Sequence, residues 1–249
     1  MPLPSLRIDR EPLSDPVELF LMIQPVITRE SILNGTIRRL VEQSGDDGRL
    51  MTDQERKQIV ENMIETAPSL NSMWVFGYGS LIWNPALYFT EKKRGTVHGY
   101  HRRFCLWSTI GRGSPSRPGL MLGLERGGSC KGIFYKIDRR EIRTELDIVF
   151  RRELITAAYR PTWVSARILG KSPFKAIAFV INRDHNRYAG MLDDETVIQT
   201  IADAKGTLGS CSDYLYETVL QLENLGMPDR HLASIARHVR QKEHELAQR

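Results

Sequence analysis

The pattern of hydrophobic and polar positions changes character along the chain. The first seventy residues read as helices. Asp15-Pro16-Val17-Glu18 supplies an N-cap, a proline at the first helical position and a carboxylate in the first turn. Thr28-Arg29-Glu30-Ser31 predicts a second start, running through Arg38-Arg39-Leu40-Val41, and Gly45-Asp46-Asp47-Gly48 predicts a turn. Thr52-Asp53-Gln54-Glu55 is a capping box that opens a helix over 56–65, which Ala67-Pro68-Ser69 stops. From Met73 the texture becomes apolar and aromatic. Strands are predicted over Met73–Tyr78, Gly95–Trp107, Leu120–Glu125, Gly132–Ile137, Tyr159–Leu169 and Phe174–Asn182, with Gly127-Gly128 as a turn between the third and fourth. Helical periodicity appears over Asp138–Leu154 and again over Asp194–Lys205, Cys211–Leu225 and Pro228–Ala247.

A mostly β middle flanked by helices predicts an α+β chain. The expected division is a helical N-terminal extension, 1–70, and a main domain, 71–249. The extension either packs on that domain or pairs two chains, and nothing in it suggests chemistry. A chain of 249 residues with 41% hydrophobic and 26% charged positions is suited to a folded core. No apolar run approaches the roughly 20 residues that span a bilayer, and the N-terminus does not read as a signal peptide. Cys105, Cys130 and Cys211 are too few and too scattered for a disulfide framework or a zinc cluster. A reduced, cytoplasmic protein without a metal is therefore expected.

Charge sharpens this picture. Residues 1–70 hold eight Lys/Arg against twelve Asp/Glu, whereas the rest holds 27 against 18. Lys92–Leu124 carries seven basic residues and no acidic one, which suits an anionic ligand as well as a solvated face. Two features bear on chemistry. Phe76-Gly77-Tyr78-Gly79-Ser80-Leu81-Ile82 follows an apolar strand, and exposed N–H groups in such a turn form an anion-binding nest. The dinucleotide pattern fails at Ile82, and no Gly-Lys-Ser/Thr of a P-loop follows. The second feature is Glu153. At roughly 100° per residue it falls about 20° from Ile142, amid Leu146, Val149 and Phe150. Desolvation there raises a carboxyl pKa, as a general acid/base at neutral pH requires, while a solvent-facing or arginine-paired helix end remains the plain alternative. The six histidines show no ligand spacing, and no Ser-His-Asp or Cys-His arrangement competes.

In combination these blocks are specific. Met73–Pro85, Gly99-Tyr100-His101-Arg102-Arg103-Phe104-Cys105, Arg112-Gly113-Ser114-Pro115 with Pro118-Gly119, Arg152-Glu153 with Tyr159, and Ser212-Asp213-Tyr214-Leu215 resemble, in order, the ChaC-like gamma-glutamylcyclotransferase family. The resemblance covers about residues 73 to 226. It implies a compact mixed β-barrel core with surrounding helices and no cofactor. It also implies cleavage of glutathione to 5-oxoproline and cysteinylglycine. Glu153 matches the catalytic glutamate, the turn Tyr78, Gly79, Ser80 and Leu81 the substrate-binding loop, and Tyr214 a tyrosine near the glutamyl moiety. Charge logic adds Arg112 as a partner for the glycine carboxylate. The chain departs from the pattern at Ala157, where the family often has glycine, and at Cys211, where it often has asparagine. Alanine is penalised at Ala157 if that position needs positive φ. No nucleic acid or membrane partner is expected, and the oligomeric state is left open. The competing readings are a cyclotransferase for other γ-glutamyl peptides or amines, an inactive relative that binds an anionic peptide, and a nucleic-acid binder. The last rests on the basic block with Tyr100, Phe104 and Trp107.

Overall fold

A computed structural model describes residues 27–43 and 49–248. The predicted helix start at Asp15 and the turn at 45–48 lie outside them. Among the described residues the helices are α1 (Arg29–Leu33), α2 (Thr36–Gln43), α3 (Asp53–Glu65), α4 (Ile142–Glu153), α5 (Asp194–Asp203), α6 (Cys211–Asn224) and α7 (Arg230–Ala247). The strands are β1 (Trp74–Gly77), β2 (Glu91–Ser108), β3 (Gly119–Lys136), β4 (Tyr159–Arg167), β5 (Phe174–Ile181) and a minor pair, β6 (Lys205–Gly206) and β7 (Gly209–Ser210).

The first five strands close into a barrel in the order β1-β3-β2-β4-β5. β1 runs antiparallel to β3 and closes the ring through the parallel pairing of Val75 with Ile177 on β5. All four residues of β1 are buried, as its unbroken apolar run requires. Two expectations change here. Leu120–Glu125 and Gly132–Ile137 are parts of one strand, β3. Gly127 and Gly128 adopt positive φ and bend the long β2–β3 ribbon instead of ending a strand. β2 begins at Glu91 rather than Gly95, because Lys92, Lys93 and Arg94 pair with Tyr135, Phe134 and Ile133 while their own side chains face outward.

The extension docks on the barrel unit. The Thr52–Glu55 capping box forms, and it starts α3. Val60 and Met63 of α3 join the main hydrophobic core. Arg56 reaches Asp147 on α4 at 2.8 Å, and the Met51 N–H donates to the Ile155 carbonyl at 2.8 Å. Arg29 forms a two-pronged pair with Glu145 at 2.6 and 2.7 Å and stacks over the Tyr88 ring. Helix α4 is thus clamped between the extension and the barrel, and that clamp fixes where its C-terminal Glu153 lies.

Candidate active site

Helix α4 buries Ile142, Leu146, Val149 and Phe150, as its periodicity requires. Its last residue, Glu153, keeps 15% of its side chain exposed. Both alternatives of the sequence reading hold at once: the carboxylate is desolvated, and it is paired with Arg152. Arg152 Nε lies 3.0 Å from Glu153 Oε1. Burial raises the Glu153 pKa, and the Arg152 charge opposes that rise without cancelling it. Neither carboxylate oxygen accepts a hydrogen bond among the described residues, and the contact with Arg152 is an ion pair.

The glycine turn faces this carboxylate through the same arginine. Ser80 opens a single 3-10 turn, Ser80–Ile82, directly after Gly79. Arg152 donates from Nη2 to Ser80 Oγ at 2.8 Å and from Nη1 to the Asn84 carbonyl. Gly79 leaves room for Tyr214: a Cβ there would lie 2.7 Å from the Tyr214 hydroxyl oxygen and would have to displace it. So β1 delivers the turn, α4 delivers Glu153, and α6 delivers Tyr214 to one place. Helix α6 is fixed by a capping box between Ser210 and Asp213.

Three tyrosines lie within the electrostatic reach of Glu153, and they divide by hydrogen bonding. Burial raises the pKa of Tyr78, Tyr159 and Tyr214, and the Glu153 charge raises each further. Tyr78 donates its hydroxyl proton to the Phe179 carbonyl at 2.7 Å, and Tyr159 donates to the Leu122 carbonyl at 2.7 Å. The Tyr214 hydroxyl takes a hydrogen bond from the Leu122 backbone, which opposes part of that rise, and it donates to no acceptor among the described residues. Of the predicted turn residues, Tyr78 and Leu81 serve the scaffold. The Tyr78 carbonyl accepts from buried Arg102 at 2.8 Å, and the Leu81 carbonyl accepts from Tyr135 at 2.8 Å. Arg112 stands on the Tyr214 side of the cluster and donates to the Ser210 carbonyl at 3.2 Å. Burial lowers its pKa.

The two departures from the family pattern acquire structural meaning. Ala157 has φ of 57°, a left-handed conformation that glycine adopts without a Cβ penalty. Cys211 Sγ donates to the Leu120 carbonyl at 3.0 Å and accepts from the Leu120 N–H at 3.3 Å. An asparagine side chain offers the same pairing of one donor and one acceptor. Burial pushes the Cys211 thiol up to about 11, so it remains protonated and able to donate.

Sequence reading missed Arg102, which links the Tyr78 carbonyl to Asp229 at the start of α7, and it missed the Glu145–Arg29 pair. In the sequence Arg102 is one cation of the His101-Arg102-Arg103 run, which does not identify a partner. A cavity of about 750 Å³ lies elsewhere. It is lined by α3 and by segments 156–157 and 182–186, and includes none of Gly79, Glu153 or Tyr214. Around Glu153, by contrast, a desolvated carboxylate meets the Tyr214 hydroxyl and the glycine turn. Among the described residues no group of three His, Cys, Asp or Glu is placed to hold a metal ion, and no helix is long and apolar enough to cross a membrane.

The fold is shared with a solved yeast protein. That protein is described as a gamma-glutamyl cyclotransferase specific to glutathione, and the two folds agree with a TM-score of 0.64. The match has 20% sequence identity and covers 70% of this chain and 98% of that one. The family model described as ChaC-like protein matches residues 73–242, and the chain belongs to that family. It is 35% identical over 204 residues to the glutathione-specific gamma-glutamylcyclotransferase of Escherichia coli (strain K12), a match covering 82% of this chain and 88% of the relative. It is also 33% identical to gamma-glutamylcyclotransferase 2-3 of Arabidopsis thaliana, over 68% of this chain and 89% of that protein.

Proposed function

We propose that the protein is a glutathione-specific gamma-glutamylcyclotransferase with Glu153 as its general acid/base. The observation that carries this reading is a buried carboxylate with a raised pKa that accepts no hydrogen bond among the described residues, set beside the glycine turn. In the reaction the α-amine of the γ-glutamyl group attacks its own γ-carbonyl carbon. A five-membered ring closes as that carbon–nitrogen bond forms, so proximity supplies much of the rate. Glu153 takes a proton from the attacking nitrogen and gives it to the cysteinyl nitrogen as the old amide bond breaks. One bond forms, one breaks and one proton moves, giving 5-oxoproline and cysteinylglycine. No metal or redox step is needed.

The other assignments follow the local chemistry. Main-chain N–H groups of the Tyr78–Leu81 turn and the Ser80 hydroxyl hold the glutamyl carboxylate or the developing oxyanion. The Tyr214 hydroxyl donates to the same moiety. Arg112 draws the glycine carboxylate from the far side. Residues 27–43 and 49–70 act as a structural extension that braces α4 on the barrel. A reducing, cytoplasmic setting suits three buried free thiols.

The test is 5-oxoproline released from glutathione by the purified protein, with Glu153→Gln beside it and γ-glutamyl dipeptides and amines as competing substrates. Release from glutathione by wild type, and its loss in a folded Glu153→Gln variant, is the expected result. Release by both proteins removes Glu153 from its role. Release from other γ-glutamyl compounds but not from glutathione overturns the specificity.

A further inference from the structure

We infer that Arg152 is a positioning residue that assigns the proton roles at the site, so that Glu153 Oε2 is the proton acceptor and the Ser80 hydroxyl is a donor to the substrate. The inference rests on the cyclotransferase reading above and adds the atoms that perform it.

The argument begins with hydrogen-bond capacity. A guanidinium has five N–H donors in a rigid fork and no acceptor. Each group that touches it must therefore present a lone pair. The Arg152 side chain is only 5% exposed, so these contacts are not exchanged freely with water. Its fork donates to two acceptors, Ser80 Oγ at 2.8 Å and the Asn84 carbonyl, and its Nε forms an ion pair with Glu153 Oε1 at 3.0 Å.

Two consequences follow for polarity. A serine hydroxyl has one proton, and with Arg152 on its acceptor side that proton turns away from the guanidinium. Among the described residues it meets no acceptor. Ser80 adjoins Gly79, which packs against the Tyr214 hydroxyl. Two O–H groups with unused protons therefore flank the glycine turn, and both suit a carboxylate or an oxyanion. On Glu153 the Arg152 charge lies at Oε1, which leaves Oε2, the oxygen without that contact, to receive the proton of the attacking amine. The fork also ties the base to the turn that holds the substrate, which fixes the distance between them. Lysine keeps the charge but presents its donors from one point and cannot span these three groups in a plane.

The test compares Arg152→Lys and Ser80→Ala with wild type in steady-state kinetics, and follows the Glu153 carboxyl by carbon-13 NMR titration of the folded proteins. Arg152→Lys is expected to lower kcat at least ten-fold and to change the Glu153 titration, because the opposing charge no longer sits at Oε1. Ser80→Ala is expected to raise KM for glutathione about ten-fold while leaving the Glu153 titration in place, the loss of one hydrogen bond to a charged group. An unchanged titration and kcat in Arg152→Lys overturns the inference. So does a Ser80→Ala variant with wild-type KM. If Arg152→Lys does not fold, the Ser80→Ala result decides the matter. The titration reads Arg152's hold on Glu153 without turnover, so a wild type that releases no 5-oxoproline overturns the cyclotransferase reading and leaves the positioning result legible.

Discussion

Two glutamates on one helix show what burial alone does not. Glu145 and Glu153 both sit on α4, two turns apart, and both face an arginine. Glu145 is the more buried, at 1% exposure against 15%. Yet its oxygens are saturated: Arg29 binds both, and the Tyr88 N–H adds a third donor at 2.8 Å. Glu153 accepts no hydrogen bond among the described residues and has only the Arg152 ion pair at one oxygen. A saturated buried carboxylate is a structural clamp, whereas an under-coordinated one retains a lone pair for chemistry. The arginines differ in the same sense. Arg29 serves Glu145 from the extension, and Arg152 divides itself between Glu153 and the turn that faces the ligand.

Substitutions can break this contrast in a graded way. Glu153→Gln should lower the rate of 5-oxoproline release by about 10²–10⁴-fold, the usual contribution of a general acid/base, with the melting temperature nearly unchanged. Glu145→Gln should do the reverse. It leaves the partly exposed Arg29 with a neutral partner and should destabilise the fold by about 1.5–3 kcal/mol, measured by denaturant unfolding. The rate per folded molecule should stay close to wild type. If Glu145→Gln instead lowers kcat with stability intact, the separation of clamp from base is wrong.

The smaller effects sharpen the picture around the site. Ala157→Gly should stabilise the protein by about 1 kcal/mol, because φ of 57° carries a Cβ penalty that glycine removes. A loss of stability would mean that the backbone relaxes out of the left-handed region. Cys211→Asn should change stability by less than about 1 kcal/mol, since the amide replaces one donor and one acceptor on the Leu120 peptide unit. A large loss would show that the thiol's size matters more than its hydrogen bonds.

Much of this was legible in the sequence, for local reasons. The Thr52 capping box, the buried first strand and the apolar face of α4 are set by neighbouring residues, so spacing exposes them. The left-handed Ala157 was legible only through a family pattern, since nothing local marks it. Strand limits were less readable. Gly127-Gly128 looks like a hairpin turn, but its partner strand continues past it, and pairing is a property of both strands. The Glu145 clamp was invisible because Arg29 lies 116 residues away in the chain. Helical spacing could mark Glu153 as misplaced among apolar residues, but it could not count donors around either glutamate. Arg152 appeared in the sequence only as the neighbour of Glu153, because its three-way fork depends on where the glycine turn folds back.

The central claim is that Glu153 acts as a desolvated base, and the pH profile of kcat/KM for 5-oxoproline release tests it most directly. A raised pKa leaves the carboxyl protonated, and unable to accept the amine proton, over a wider acid range. The rate should therefore fall on acidification with a midpoint above the ordinary value of 4.5, and this limb should be absent from the residual activity of Glu153→Gln. A profile that stays flat from about pH 4 to 8 contradicts the desolvated base.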